Sequence, residues 1–96
     1  MGRVLRTSDA SADLDGIWSY IAQRNVTAAD DLIDKLYSRF LLLAEFPESG
    51  ERQPLLADGS YRRIVEGNYV VYYHPDEAGV TIVRVLHAAR DEPSSF

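Results

Sequence analysis

Residues 61–87 read YRRIVEGNYVVYYHPDEAGVTIVRVLH. Three runs rich in β-branched and aromatic residues, Tyr61 to Val65, Tyr69 to His74 and Val80 to His87, are separated only by Glu66-Gly67-Asn68 and by Pro75 to Gly79. Links this short can join antiparallel strands but not parallel ones, which need a crossover of roughly a dozen residues or more. The stretch predicts a three-stranded antiparallel meander, and such a sheet needs a cover for its apolar face.

The cover lies upstream. Leu14, Ile17, Trp18 and Ile21 fall on one face of a helix running to about Arg24, with Ser8 as its expected cap. Asp9, Asp13 and Asp15 crowd its first turns, where the positive end of the helix dipole favours carboxylates. Asn25-Val26 breaks it, and Thr27-x-x-Asp30 resembles a capping box opening a second helix. Ala29, Leu32, Ile33, Leu36, Phe40, Leu43 and Ala44 continue one stripe along that helix, flanked by Tyr37 and Phe46, until Pro47 stops it. The short break makes the pair an antiparallel helical hairpin. Residues 3–7 read as a short strand, and Pro47 to Ser60 as a turn-rich loop anchored by Leu55-Leu56. The predicted fold is α+β in the order β-α-α-β-β-β, an antiparallel sheet with an N-terminal helical hairpin packed on one face.

With 96 residues, one domain over 1–96 is expected. The absence of cysteine excludes a disulfide framework, a thiolate metal site and a thiol nucleophile. A zinc site would have to be built from His74 and His87 with carboxylates, so no metal and no cofactor is expected. No apolar run reaches the ~20 residues that span a bilayer, and the N-terminus lacks a signal-peptide core, which points to a cytoplasmic protein. The net charge is −5, with Lys35 and nine arginines against fifteen carboxylates. Phosphate neutralisation supplies most nucleic-acid affinity, so a protein partner is expected and direct nucleic-acid binding by the chain alone is not.

Four stretches, ADLDGIWSYIA (12–22), LLLAEFPESG (41–50), YRRIVEGNYVVYY (61–73) and IVRVLHAARD (82–91), occur in the order found in the RelE/ParE superfamily of bacterial toxins. The chain resembles the ParE branch over most of its length, and a short tail ending near Phe96 fits a whole member of it. The resemblance implies a toxin that inhibits DNA gyrase by protein–protein binding, without chemistry of its own. It also implies neutralisation by a ParD-like antitoxin that folds onto the helical hairpin and sheet, giving a hetero-oligomer. RelE-type relatives on the same fold are ribosome-dependent mRNA endonucleases, so the site must decide.

An endonuclease needs a base for the ribose 2′-hydroxyl, a cation for the phosphate and an acid for the leaving oxygen. By resemblance, Glu48, Arg63 and His87 would be those residues. Lys35 is the only lysine and belongs to the second helix, and Ala88-Ala89 offers no acid, base or cation beside His87. The gyrase-directed reading instead assigns Arg63, Arg84, His87 and Arg90 to the target surface. Trp18, Tyr20, Leu36, Phe40 and Tyr73 are assigned to the antitoxin surface. A third possibility is a non-toxic interaction module of the same fold.

Individual residues also have plainer expectations. His87 alternates with Val83 and Val85 and should be a strand-end residue hydrogen-bonded to backbone. Arg84 is placed with Ile82 and Leu86, as either a partner anchor or an ordinary surface residue. Trp18 continues the core stripe, whereas Tyr20 lies off it. Tyr69, Tyr72 and Tyr73 alternate, so at least one is expected at the surface. Arg90 and Asp91 form a local surface pair unless the tail itself is the binding element.

Overall fold

The computed structural model describes residues 2–91, so the end of the tail near Phe96 lies outside the described residues. Strand β1 (Arg3–Arg6) leads into helices α1 (Ser8–Ala22) and α2 (Val26–Glu45), followed by β2 (Glu51–Arg52), β3 (Arg62–Glu66), β4 (Tyr69–Asp76) and β5 (Gly79–His87). The sheet order is β1-β5-β4-β3-β2. The predicted meander β3-β4-β5 is antiparallel throughout. Two features go beyond it: β1 joins β5 in parallel, which makes the sheet mixed, and the loop after α2 contributes the two-residue strand β2. The parallel pairing follows from connectivity, because the whole hairpin serves as the crossover between β1 and the rest of the sheet.

Both helix starts sit one or two residues earlier than predicted. Thr7, extended at ψ 162°, caps α1: its hydroxyl oxygen accepts the Ala10 amide at 3.0 Å and donates to the Val83 carbonyl at 2.8 Å. Ser8 is already helical. Asn25 caps α2 by accepting the Ala28 amide at 3.0 Å, which leaves Thr27 inside the first turn.

The main core lies between the hairpin and one face of the sheet. Ala10, Leu14 and Ile17 of α1 and Leu36, Phe40, Leu43 and Ala44 of α2 pack on Ile64, Tyr69, Val71, Tyr73, Val80, Ile82 and Val85. Ile82 and Val85 can share that face because the ladder passes from Tyr72 opposite Arg84 to Tyr73 opposite Ile82, leaving Val83 as a bulge residue. A smaller apolar cluster of Val70, Tyr72 and Leu86 occupies the other face, covered by Leu56. Only Leu56 of the expected Leu55-Leu56 anchor is used, since Leu55 is 97% exposed. Tyr69, Tyr72 and Tyr73 are all buried, contrary to expectation, because both faces of β4 are covered. The Tyr73 hydroxyl is satisfied inside: it donates to the Pro47 carbonyl and accepts the Gly50 amide, both at 2.8 Å, and so fastens the loop after α2 to the sheet.

Candidate functional site

The end of β5 folds back on itself. The His87 backbone amide donates to Asp91 Oδ2 at 2.8 Å, and the Asp91 amide donates to the His87 carbonyl at 2.9 Å. His87 Nδ1 accepts the Ala89 amide at 3.1 Å, and its ring meets Tyr69 edge-on at 5.2 Å. His87 is thus a strand-end residue bonded to backbone, with one ring nitrogen already committed. Arg90 lies over the ring of Tyr20, 4.7 Å from its centroid, so the tail is held against α1 by a cation–π contact. Arg90 therefore partners Tyr20, while Asp91 closes the turn on His87.

Arg84 is not a free surface cation. Its Nε donates to Asp13 Oδ2 at 2.7 Å and its Nη2 to Asp13 Oδ1 at 2.9 Å, with both side chains about five-sixths buried. Asp13 Oδ2 also accepts the Val85 amide at 3.0 Å, on the stretch of β5 beyond its pairing with β1. The hydrogen bond to Asp13 raises the guanidinium above the ordinary arginine range; desolvation opposes this, while the charges of Asp13, Asp9 and Asp91 add to it. Arg84 stays in phase with Leu86, opposite Tyr72, while the bulge at Val83 turns Ile82 to the core face; the pairing of Arg84 with Asp13 locks sheet to helix.

Arg63 lies elsewhere. It stands opposite Tyr72 on β3, next to Ile64, whose side chain points into the main core, so Arg63 belongs to the other face of the sheet. There it pairs loosely with Glu51 at 3.7 Å. His87 stands opposite Tyr69, roughly 10 Å along β4 from Tyr72 and on the helix-covered face. Glu48 sits at the far end of the sheet, where its carbonyl and that of Gly50 accept Arg62 Nη1 at 3.3 and 2.7 Å. The three residues of the hypothetical nuclease are not brought together. His74 and His87 lie at opposite ends of β4-β5, and among the described residues no group of three or more His, Asp or Glu side chains could hold a metal.

A family profile described as the ParE toxin of the type II toxin–antitoxin system parDE matches residues 4–92. The chain belongs to the ParE toxin family. Toxin ParE1 of Caulobacter vibrioides is 42% identical over 79 residues, covering 81% of this chain and 80% of that one. Toxin RelE2 of the same organism is 38% identical over 91 residues, covering 94% and 99%. Among solved structures, a chain of the chromosomal ParDE toxin–antitoxin system from P. aeruginosa superposes with a TM-score of 0.73 at 18% identity, covering 91% of this chain and 96% of that one. A chain of the RelB–RelE antitoxin–toxin complex from Methanococcus jannaschii gives 0.53 at 19%, covering 88% and 91%. This ParE-family chain is the toxin of a type II toxin–antitoxin pair.

The residues predicted for the antitoxin surface divide by burial. Leu36, Phe40 and Tyr73 are at most 2% exposed and belong to the core of this ParE-family fold, which removes them as contact residues. Periodicity placed the first two on the stripe but could not say which stripe positions a partner would reach. Trp18 departs from its expected core position: it is 38% exposed, with Nε1 donating to Asp30 Oδ1 at 2.8 Å. Tyr20, off the stripe as read, is 61% exposed. The sequence reading missed a second apolar surface at the C-terminal end of α2, where Leu41, Leu42 and the C-cap residue Phe46 are 63%, 50% and 61% exposed. The signal was present in Phe40-Leu41-Leu42-Leu43-Ala44, a run too apolar for one helix face.

Proposed function

We propose that this chain is a cytoplasmic toxin, a single ParE unit over 1–96, that inhibits DNA gyrase by binding it and is neutralised by a ParD-like antitoxin in a hetero-oligomer. Membership of the ParE family supports this reading. The observation that carries the choice of binding over catalysis is the separation of Glu48, Arg63 and His87 onto two faces and two ends of the sheet. No described helix is long and apolar enough to cross a membrane.

The target surface would centre on Arg90, His87 and the tail turn, with Arg63 on the opposite face as a second contact. The antitoxin would take Trp18 and Tyr20. Because Arg90 rests on Tyr20, an antitoxin covering Tyr20 would displace or bury Arg90, so the two bound states exclude each other. Inhibition needs no bond-making: a ligand with greater affinity for gyrase on cleaved DNA than for the resting enzyme shifts the population toward the cleaved state.

Ribosome-dependent mRNA cleavage is the second reading, favoured by the similarity to the Caulobacter RelE2 toxin. The two separate in a reconstituted translation reaction. Purified protein added to ribosomes stalled on a defined message is expected to leave that message intact. Cleavage that disappears in Arg63→Ala or His87→Ala would replace the binding reading with the catalytic one.

A further inference from the structure

Arg90 is exposed, yet both its backbone and its side chain are held. The backbone belongs to a closed turn built on His87: the Arg90 and Asp91 amides both donate to the His87 carbonyl, at 3.2 and 2.9 Å, and the Ala89 amide donates to His87 Nδ1. Asp91 Oδ2 accepts the His87 amide in return, so the last N–H of β5 is capped by a side chain of the tail itself. The Ala88 amide ties the same turn to the β3–β4 hairpin through the Asn68 carbonyl at 2.8 Å.

The side chain is held by α1. The guanidinium carbon of Arg90 lies 4.7 Å from the centre of the Tyr20 ring, and among the described residues the guanidinium has no carboxylate and no hydrogen-bond acceptor. A cation–π contact fixes a guanidinium through its charge and uses none of its five N–H donors. Arg62, Arg63 and Arg84, by contrast, face acceptors already: the Gly50 and Glu48 carbonyls, Glu51 and Asp13. Arg90 is a cation oriented in advance with its donors unspent, an arrangement that lowers the ordering cost of a long side chain when it meets acceptors elsewhere. Tyr20 is 61% exposed and stands outside the core, so packing within the chain does not account for a ring there.

We propose that Tyr20 and Asp91 are positioning residues for the inhibitory contact: Asp91 closes the turn that aims Arg90, and the Tyr20 ring holds its guanidinium ready for the acceptors of the target. The inference rests on the reading of Arg90 as a target contact and specifies how that contact is preorganised. The ring of Tyr20 is the working part, not its hydroxyl, and neither residue acts except through Arg90.

The test compares full-length variants by the protein concentration that gives half-maximal linear DNA with gyrase, and by the protein level at which expression arrests growth. Tyr20→Leu is expected to raise both about two- to fivefold, the worth of one exposed cation–π contact. Tyr20→Phe keeps the ring and should match the natural chain. Asp91→Ala should act in the same direction as Tyr20→Leu, and either change made together with Arg90→Ala should add nothing to the effect of Arg90→Ala alone. Tyr37→Leu removes a second exposed tyrosine ring lying near an arginine, Arg6 at 5.4 Å, and should leave both readouts unchanged. Two-dimensional NMR reads the positioning itself: the Arg90 side-chain protons should be shifted by the ring in the natural chain and in Tyr20→Phe, and unshifted in Tyr20→Leu, with the core amides unmoved. Full activity of Tyr20→Leu, a Tyr20→Phe protein as weak as Tyr20→Leu, a further loss on adding Tyr20→Leu to Arg90→Ala, or absence of the ring shift in the natural chain would each overturn the inference. Failure of the gyrase reading is distinct: the natural chain would arrest growth without linear DNA, and the order of the variants in growth arrest would still decide the role of Tyr20 and Asp91.

Discussion

Asp13→Ala is expected to destabilise the fold by about 3 kcal/mol, a fall of roughly 12–24 °C in Tm for a domain of this size. The substitution removes both carboxylate oxygens that accept from the Arg84 guanidinium and the acceptor of the Val85 amide, in a region where water reaches them poorly. The cost is therefore not that of an exposed ion pair, which is about 0–1 kcal/mol, but that of a largely buried cation deprived of its bidentate carboxylate and of an amide deprived of its side-chain acceptor. Asp13→Asn, which retains an acceptor for Val85 without the charge, should fall between Ala and the natural residue. Since the Arg84 pKa is raised, its contribution is complete below the ordinary arginine range and is lost only as pH climbs through the raised value, so no Arg84 transition is expected at neutral or mildly alkaline pH. Urea unfolding followed by circular dichroism measures these differences, and a change under about 1 kcal/mol for Asp13→Ala would refute the buried-pair account.

Gly79→Ala should cost about 3 kcal/mol or more by a different route. Gly79 opens β5 at φ +151° directly opposite Arg3, and a Cβ there would overlap the Arg3 backbone nitrogen and carbonyl. The only remedy is to push β1 away, which draws Val4 from the core and loosens Thr7, whose hydroxyl caps α1 and bonds Val83. Gly16→Ala is the matching control, because Gly16 is helical and exposed with open space around it, and alanine there should stabilise by roughly 0.5–1 kcal/mol. Thermal unfolding of the two variants should move in opposite directions; a Gly79→Ala protein as stable as the natural one would show that β1 is not held this closely.

The elements that local periodicity encodes were legible. The helical stripes from Leu14 to Ile21 and from Ala29 to Ala44, and the meander between Tyr61 and His87, occur where the spacing of apolar residues puts them. What escaped were the relations that periodicity does not carry. The parallel pairing of β1 joins residues some 75 positions apart, and no local pattern encodes it. The bulge at Val83 is invisible because apolar residues flank it in both phases of the alternation, and it parts Ile82, on the core face, from Leu86, with which it was grouped.

The candidate site was legible only in part. His87 and Arg90 lie at the end of β5 and Tyr20 lies exposed off the helical stripe, as their positions in the sequence indicate, and the structure places Arg90 against Tyr20. Asp13 was read as a dipole partner of its own helix, because the residue that neutralises it lies 71 positions away. Leu36, Phe40 and Tyr73 were assigned to a partner although they complete the core, whereas Leu41 and Leu42 of α2 and Phe46 at its C-cap are left exposed. Which apolar residues are covered depends on the sheet beneath the helix, and that appears only in three dimensions.

The central claim is that the protein acts by binding gyrase and holding it on cleaved DNA. Its most direct measurement incubates purified chain with DNA gyrase, ATP and a supercoiled plasmid, then denatures the enzyme and quantifies linear DNA carrying covalently attached gyrase. Linear product that rises with the concentration of the natural protein and falls at least about tenfold with Arg90→Ala is the predicted result. Growth arrest in cells with no linear product at any protein concentration would contradict it.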